Sequence, residues 1–153
     1  MHHTESNLIE INNKIKSKIN SLSLDQYNPK VIAVSKTFKE QDILPLLNYG
    51  HRDFGENKVQ EALLKWPNLK EKYKNVKLHM LGKLQTNKAK FAVEIFDYIH
   101  SLDNLKLANK LANEIHKKNK KVKMFIQINL GGEKQKSGID PNNLEMFHQS
   151  CLS

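Results

Sequence analysis

Short apolar runs alternate along this chain with stretches whose apolar residues recur every three or four positions. The runs are Val31-Ile32-Ala33-Val34-Ser35-Lys36, Arg52-Asp53-Phe54-Gly55, Lys77-Leu78-His79-Met80-Leu81, Asp97-Tyr98-Ile99-His100-Ser101 and the segment from Val122 to Asn129. Each has the length and bounding of a strand. The first helical pattern spans about 5–22, with Leu8, Ile11, Ile15, Ile19 and Leu22 on one face. A second helix follows Lys36, with Asp42 expected as N-cap, Pro45 in the first turn and Gly50 as the C-terminal stop. Asn57 to Lys65 reads as helix, with Pro67 expected to interrupt it. Thr86 to Ile95 and Asp103 to Lys118 are further helices, the latter with Leu107, Ala108, Leu111, Ala112 and Ile115 on one face. Pro141 suits the first turn of a last one.

Strand and helix alternating in this way specify a parallel sheet with crossover helices. A doubly wound sheet and a β/α barrel both satisfy the pattern. The first βα turn, Ser35-Lys36-Thr37-Phe38, has no glycine fingerprint, which argues against a dinucleotide-binding unit. The 153 residues fit one domain: 1–30 as helix and lead-in, 31–138 as βα units, 139–153 as the start of the next helix.

Composition narrows the function classes. The net charge is +9, but of 25 basic residues only Arg52 is arginine, and the lysines are scattered over the whole length. Base readout and bidentate phosphate contacts favour arginine, so the charge reads as a solvated lysine-rich surface rather than a nucleic-acid site. No apolar run approaches the roughly 20 residues of a membrane span, and the N-terminus lacks an apolar signal core. Cys151 is the only cysteine and has no partner base nearby in sequence. A cytoplasmic protein is the expectation. The histidines show no metal-ligand spacing, so no metal site is expected.

Lys36 is the residue that packing explains least. It ends an apolar strand, and burial disfavours the charged form of a lysine, which is what a lysine nucleophile toward an aldehyde requires. The other strand ends also carry polar groups: Glu56 and Asn57, His79 with the segment Gly82 to Asn87, Ser101 and Asp103, and Asn129. In a β/α barrel the C-terminal ends of the strands form the active face. Plainer readings stand beside this one. Lys36 as a solvated loop residue, His79 as a satisfied core histidine, and Asn57, Asn87 and Asp103 as helix caps are all consistent with the residues. Glu56 and Glu61 as solvated or lysine-paired carboxylates, and Ser101 as a small packing residue, are equally so.

Four segments occur in linked order: Ala33-Val34-Ser35-Lys36-Thr37, Phe54-Gly55-Glu56-Asn57-Lys58-Val59-Gln60-Glu61, His79-Met80-Leu81-Gly82-Lys83-Leu84-Gln85-Thr86-Asn87-Lys88 and Ile99-His100-Ser101-Leu102-Asp103. Together they closely resemble the pyridoxal phosphate homeostasis protein family, from about residue 31 to Gly138. The resemblance implies a β/α (TIM-type) barrel like the N-terminal domain of alanine racemase. It implies that Lys36 matches the lysine that holds pyridoxal 5′-phosphate as a Schiff base, and that Asn57, His79, Ser101 and Asn129 line the cofactor pocket. It further implies a role in intracellular vitamin B6 balance without robust catalysis, cofactor-dependent apoenzymes as partners, and a monomer at full length. Racemases of this fold take their second acid/base from an additional domain.

The sequence departs from that pattern in one respect. A β/α barrel has eight strands and about 250 residues, whereas five strands are legible here. The family's phosphate-gripping loops belong to the last three strands. A fragment or early-terminated product is the favoured reading; pairing with another chain, or a half-barrel used as a binding surface, are the others. A five-stranded arc should leave two unpaired edges and an open interior. The rival functions are a racemase-like or lysine Schiff-base enzyme and a basic interaction module.

Overall fold

The computed structural model describes residues 1–153. Its sheet contains five parallel strands: β1 (Ala33–Val34), β2 (Asp53–Glu56), β3 (Lys77–Met80), β4 (Tyr98–Leu102) and β5 (Lys123–Ile126). Their spatial order is their chain order, β1-β2-β3-β4-β5. That order distinguishes between the two folds left open by the sequence. A doubly wound sheet reverses direction at a switch point, whereas same-handed crossovers that never reverse lay every helix on one face and curl the sheet into a barrel arc.

The helices are α1 (His3–Ser21), α2 (Glu40–Tyr49), α3 (Val59–Lys72), α4 (Ala89–Ile95), α5 (Leu105–Lys118) and α6 (Leu144–Leu152). One continuous core lies between them and the convex face of the sheet. Phe54, Leu78, Met80 and Ile99 supply its strand side; Ile43, Leu47, Trp66, Val93, Leu107 and Leu111 supply its helix side. No helix is long and apolar enough to cross a membrane.

The register aligns Val34, Gly55, His79, Tyr98 and Lys123 in one row across the sheet. These residues alternate with the core-facing ones, so they belong to the concave face. That face is open. Val34 on β1 is 46% exposed and Phe125 on β5 is 51% exposed, and both edge strands pair on one side only. The expected open interior is therefore what the fold contains.

Several local expectations need correction. Regular pairing in the first strand covers Ala33–Val34 rather than Val31 to Lys36, and the strand is only partly buried because it is an edge. Asp42 is not the N-cap of α2. Lys39 is, and Asp42 sits at the third helical position, where its carboxylate accepts the Lys39 backbone N–H at 3.0 Å. Pro45 consequently lies past the first turn, inside α2. Pro67 does not interrupt α3 either. The helix runs through it to Lys72, and the burial of Trp66 and Leu69 on either side offsets the lost backbone bond. Gly50 does end α2, in the left-handed conformation at φ +104°. In α1, Leu8 is buried but Ile11 and Leu22 are exposed, so only part of the apolar stripe has a partner.

Gly82 fixes how closely the β2 and β3 ends approach. A Cβ there would lie 2.3 Å from the Asn57 carbonyl oxygen, which is backbone and cannot swing away. Gly82→Ala is expected to lower the unfolding free energy by about 1–3 kcal/mol in a urea titration, with the two loops forced apart.

Candidate functional site

The parallel strands deliver their C-terminal ends to one rim, and five polar side chains named from the sequence lie on or near it. Lys36 is two residues past β1, in the turn that leads to α2. Its side chain is exposed and has no hydrogen-bond or ion-pair partner. The burial expected for it is absent, because the strand beneath is an open edge. Asn57 follows β2 directly and lines a cleft of about 620 Å³ with Lys58, Gly82, Lys83, Gln85 and Lys88. Ser101 is buried on β4, and its hydroxyl makes no hydrogen bond within the chain. Asn129 lies past β5, where its amide donates to the Glu133 carbonyl at 2.8 Å and steadies the following loop.

His79 occupies a different level. It pairs in register with Gly55 and lies in the Val34 row, two residues below Lys36 along the strand direction. Its ring is fully engaged: Nε2 contacts Asp53 Oδ1 at 2.9 Å, Nδ1 contacts His100 Nε2 at 2.9 Å, and the plane stacks on Tyr98 at 4.4 Å. His100 in turn stacks on Phe125 at 4.7 Å. Sequence reasoning named His79 but missed Asp53, His100 and Tyr98 as its partners. The available signal was the period-two alternation, which places Asp53 and Gly55 on the same face, as it does His79 and Leu81.

Behind the rim, the layer between sheet and α3 contains a buried ionic centre. Glu56 is 0% exposed. One carboxylate oxygen accepts from Ser35 Oγ at 2.8 Å and Trp66 Nε1 at 2.9 Å, and it pairs with the Lys65 ammonium at 2.8 Å. Lys65 also donates to the Ser35 and Phe38 carbonyls, at 2.8 and 2.9 Å. Of the two sequence readings of Glu56, the lysine-paired one holds and the solvated one does not. Its place on the period-two face shared with Phe54 was the sign that it points inward. A buried pair is costly to break from one side, since the remaining charge is stranded in the interior. Glu56→Ala is therefore expected to lower stability by about 3–5 kcal/mol in denaturant titration.

The loops after β4 and β5 are tied together as well. Asp103 accepts the Gly138 backbone N–H at 3.1 Å, and Asn104, not Asp103, caps α5 by accepting from Leu107 N at 2.8 Å. Asn57 and Asn87 are not caps: α3 is preceded by Lys58, and Asn87 lies within the short 3-10 turn Thr86–Lys88.

The histidine chain gives the fold a pH dependence. Burial, and then the neighbouring His79, hold the His100 imidazole below its ordinary 6.5. The unfolded chain therefore takes up this proton at higher pH than the folded chain does. The contribution to stability is complete above pH 6.5 and is lost as pH falls through the depressed folded value. His51, lowered chiefly by burial, acts with the same sign. The thermal midpoint is expected to fall between about pH 7 and pH 5, and His100→Asn should reduce that slope without removing it.

The chain matches the family model for the alanine racemase N-terminal domain over residues 12–152. It is 36% identical over 140 residues to the pyridoxal phosphate homeostasis protein of Pasteurella multocida, covering 92% of this chain and 60% of that one. Among solved structures it resembles PipY of Synechococcus elongatus determined without pyridoxal phosphate, at TM-score 0.75 and 38% identity, over 85% of this chain and 61% of PipY. The same protein with pyridoxal phosphate bound aligns at TM-score 0.69 and 36% identity, over 84% and 62% of the two chains. Alanine racemase of Clostridium difficile shares the fold at TM-score 0.63 and 12% identity, over 79% of this chain and 32% of the racemase. The chain thus spans about three fifths of the length of the homeostasis protein and of PipY. With the arc of five ordered parallel strands and the lysine at the end of the first, this chain belongs to the alanine racemase N-terminal domain family.

Proposed function

We propose that this chain binds pyridoxal 5′-phosphate covalently and reversibly through Lys36, as a carrier rather than as a catalyst. The observation that carries the reading is the state of Lys36: a primary amine at the strand-end rim, exposed and free of any ion pair, in a chain whose relative PipY is known with pyridoxal phosphate bound. When bound, the group supplies an aldehyde that condenses with a primary amine with loss of one water, and water reverses the step. The residues present fit that chemistry. Lys36 offers the amine, Asn57 borders a cleft at the ends of β2 and β3, and the buried Ser101 hydroxyl retains an unused hydrogen-bonding capacity.

The same residues favour carriage over turnover. An amino-acid racemase needs acid/base groups on both sides of the reacting carbon. The His79 ring is held by Asp53, His100 and Tyr98 about two residues below the Lys36 level, so it is fixed in a hydrogen-bonded stack rather than presented at the rim. Asn129 is committed to its own loop. The reading assigns the chain to the cytoplasm, with apoenzymes that require the cofactor as acceptors. Its similarity to the pyridoxal phosphate homeostasis protein of Pasteurella multocida supports the acceptor reading.

Addition of pyridoxal 5′-phosphate to the purified chain is expected to produce a visible absorbance band that borohydride fixes covalently. Lys36→Ala should abolish the band while leaving the circular-dichroism spectrum intact, since Lys36 makes no contact on which the fold depends. Persistence of the full band in that variant would overturn the reading.

A further inference from the structure

Thr37 is in the left-handed region at φ +66°. That conformation is unfavourable for a β-branched residue and persists only where the surroundings enforce it. The turn is closed by its own backbone bond, Phe38 N–H to the Ser35 carbonyl at 3.2 Å, and α3 adds side-chain restraints at both ends. Glu61 Oε1 accepts the Thr37 backbone N–H at 2.5 Å. The same oxygen lies 3.1 Å from the Lys65 ammonium, one helical turn further on. Lys65 then reaches over the turn and donates to the Ser35 and Phe38 carbonyls. The Lys36 peptide is thus bracketed: the residue before it is held at its carbonyl, the residue after it at its N–H, and the far end of the turn at Phe38. The Lys36 side chain itself is held by nothing.

Lys65 also serves the buried centre that holds β1, whereas the Glu61 bond to the Thr37 N–H lies outside that centre and acts on the turn alone. The arrangement determines where a side chain leaves the backbone, which is the cheapest way to fix the origin of a long flexible amine whose tip must stay free. Electrostatics keep the clamp charged. Burial pushes the Glu61 carboxyl up, but the hydrogen bonds from Lys65 and from the Thr37 N–H outweigh it and hold the group below its ordinary range.

We infer that Glu61 and Lys65 are positioning residues for Lys36, setting the strained turn from which its amine meets an aldehyde ligand. The inference rests on the cofactor reading above, and its test separates the two. The chain carries 24 lysines, which compete for the same aldehyde and serve as internal controls. The purified 153-residue chain is treated with limiting pyridoxal 5′-phosphate, reduced with borohydride and mapped by peptide mass spectrometry. In the wild type the label should concentrate on Lys36.

In Glu61→Ala the share of label on Lys36 is expected to fall about ten- to a hundredfold relative to the surface lysines, with the thermal midpoint tracked in parallel. Glu61→Gln, which keeps an oxygen for the Thr37 N–H, should restore most of the selectivity. Lys65→Met should lose it as Glu61→Ala does, but it also strands Glu56, so Glu61 provides the decisive comparison. Wild-type selectivity in a folded Glu61→Ala chain would overturn the positioning role and leave the cofactor reading standing. Even labelling of all lysines in the wild type would overturn both.

Discussion

The ion pair between Glu56 and Lys65 is the interaction on which the rest of this structure depends. It lies where the sheet meets α3, with Glu56 wholly buried and one oxygen receiving Ser35, Lys65 and Trp66 together. All three partners converge on Oε1, while Oε2 is buried without a hydrogen-bond partner, so the charge depends on that one cluster, which ties three elements into one unit. Ser35 brings the end of β1, Glu56 brings β2, and Lys65 and Trp66 bring α3. Within an arc whose first strand is an edge only two residues long, this is what β1 has in place of a second neighbour.

The two faces of the sheet divide the work. On the convex face, aliphatic and aromatic residues from strands and helices close a single core, which accounts for most of the stability. The concave face is chemically different. A row of polar and aromatic groups, Asp53, His79, Tyr98 and His100, crosses the middle strands, and the hydrogen bonds run between side chains rather than to backbone. Above that row, at the rim, the side chains stand apart from one another. The turn under Lys36 is the outermost part of that end of the rim that α3 ties down by hydrogen bonds.

Much of this was legible in the sequence because it depends on periodicity. The alternation of strand and helix, the core face of α5 and the stop at Gly50 follow from local pattern and backbone sterics alone. What was not legible depends on registration between distant segments. Nothing local shows that Lys65 reaches Ser35 and Phe38, thirty residues away in one case, or that Asp53, His79 and His100 form one chain across three strands. Proline misled for the same reason. Local rules place Pro45 in a first turn and make Pro67 an interruption, yet Pro45 lies further inside α2 and α3 runs on through Pro67, with Trp66 and Leu69 beside it anchored in the core. Lys36 was picked out for its position, while the reason offered for it, burial, was wrong; its freedom from partners is what sets it apart.

Trp66 gives the ionic centre a consequence of another kind. It is the chain's one tryptophan, fully buried, tilted against Phe54 at 5.0 Å, and its indole N–H is bonded to the same Glu56 oxygen that receives Lys65. Its ultraviolet emission is therefore a local optical probe rather than an average over the molecule. Any event that shifts the lysine or the carboxylate changes the field at the indole directly. The chain contains its own fluorophore, built into the joint between the first two strands and the helix that steadies them.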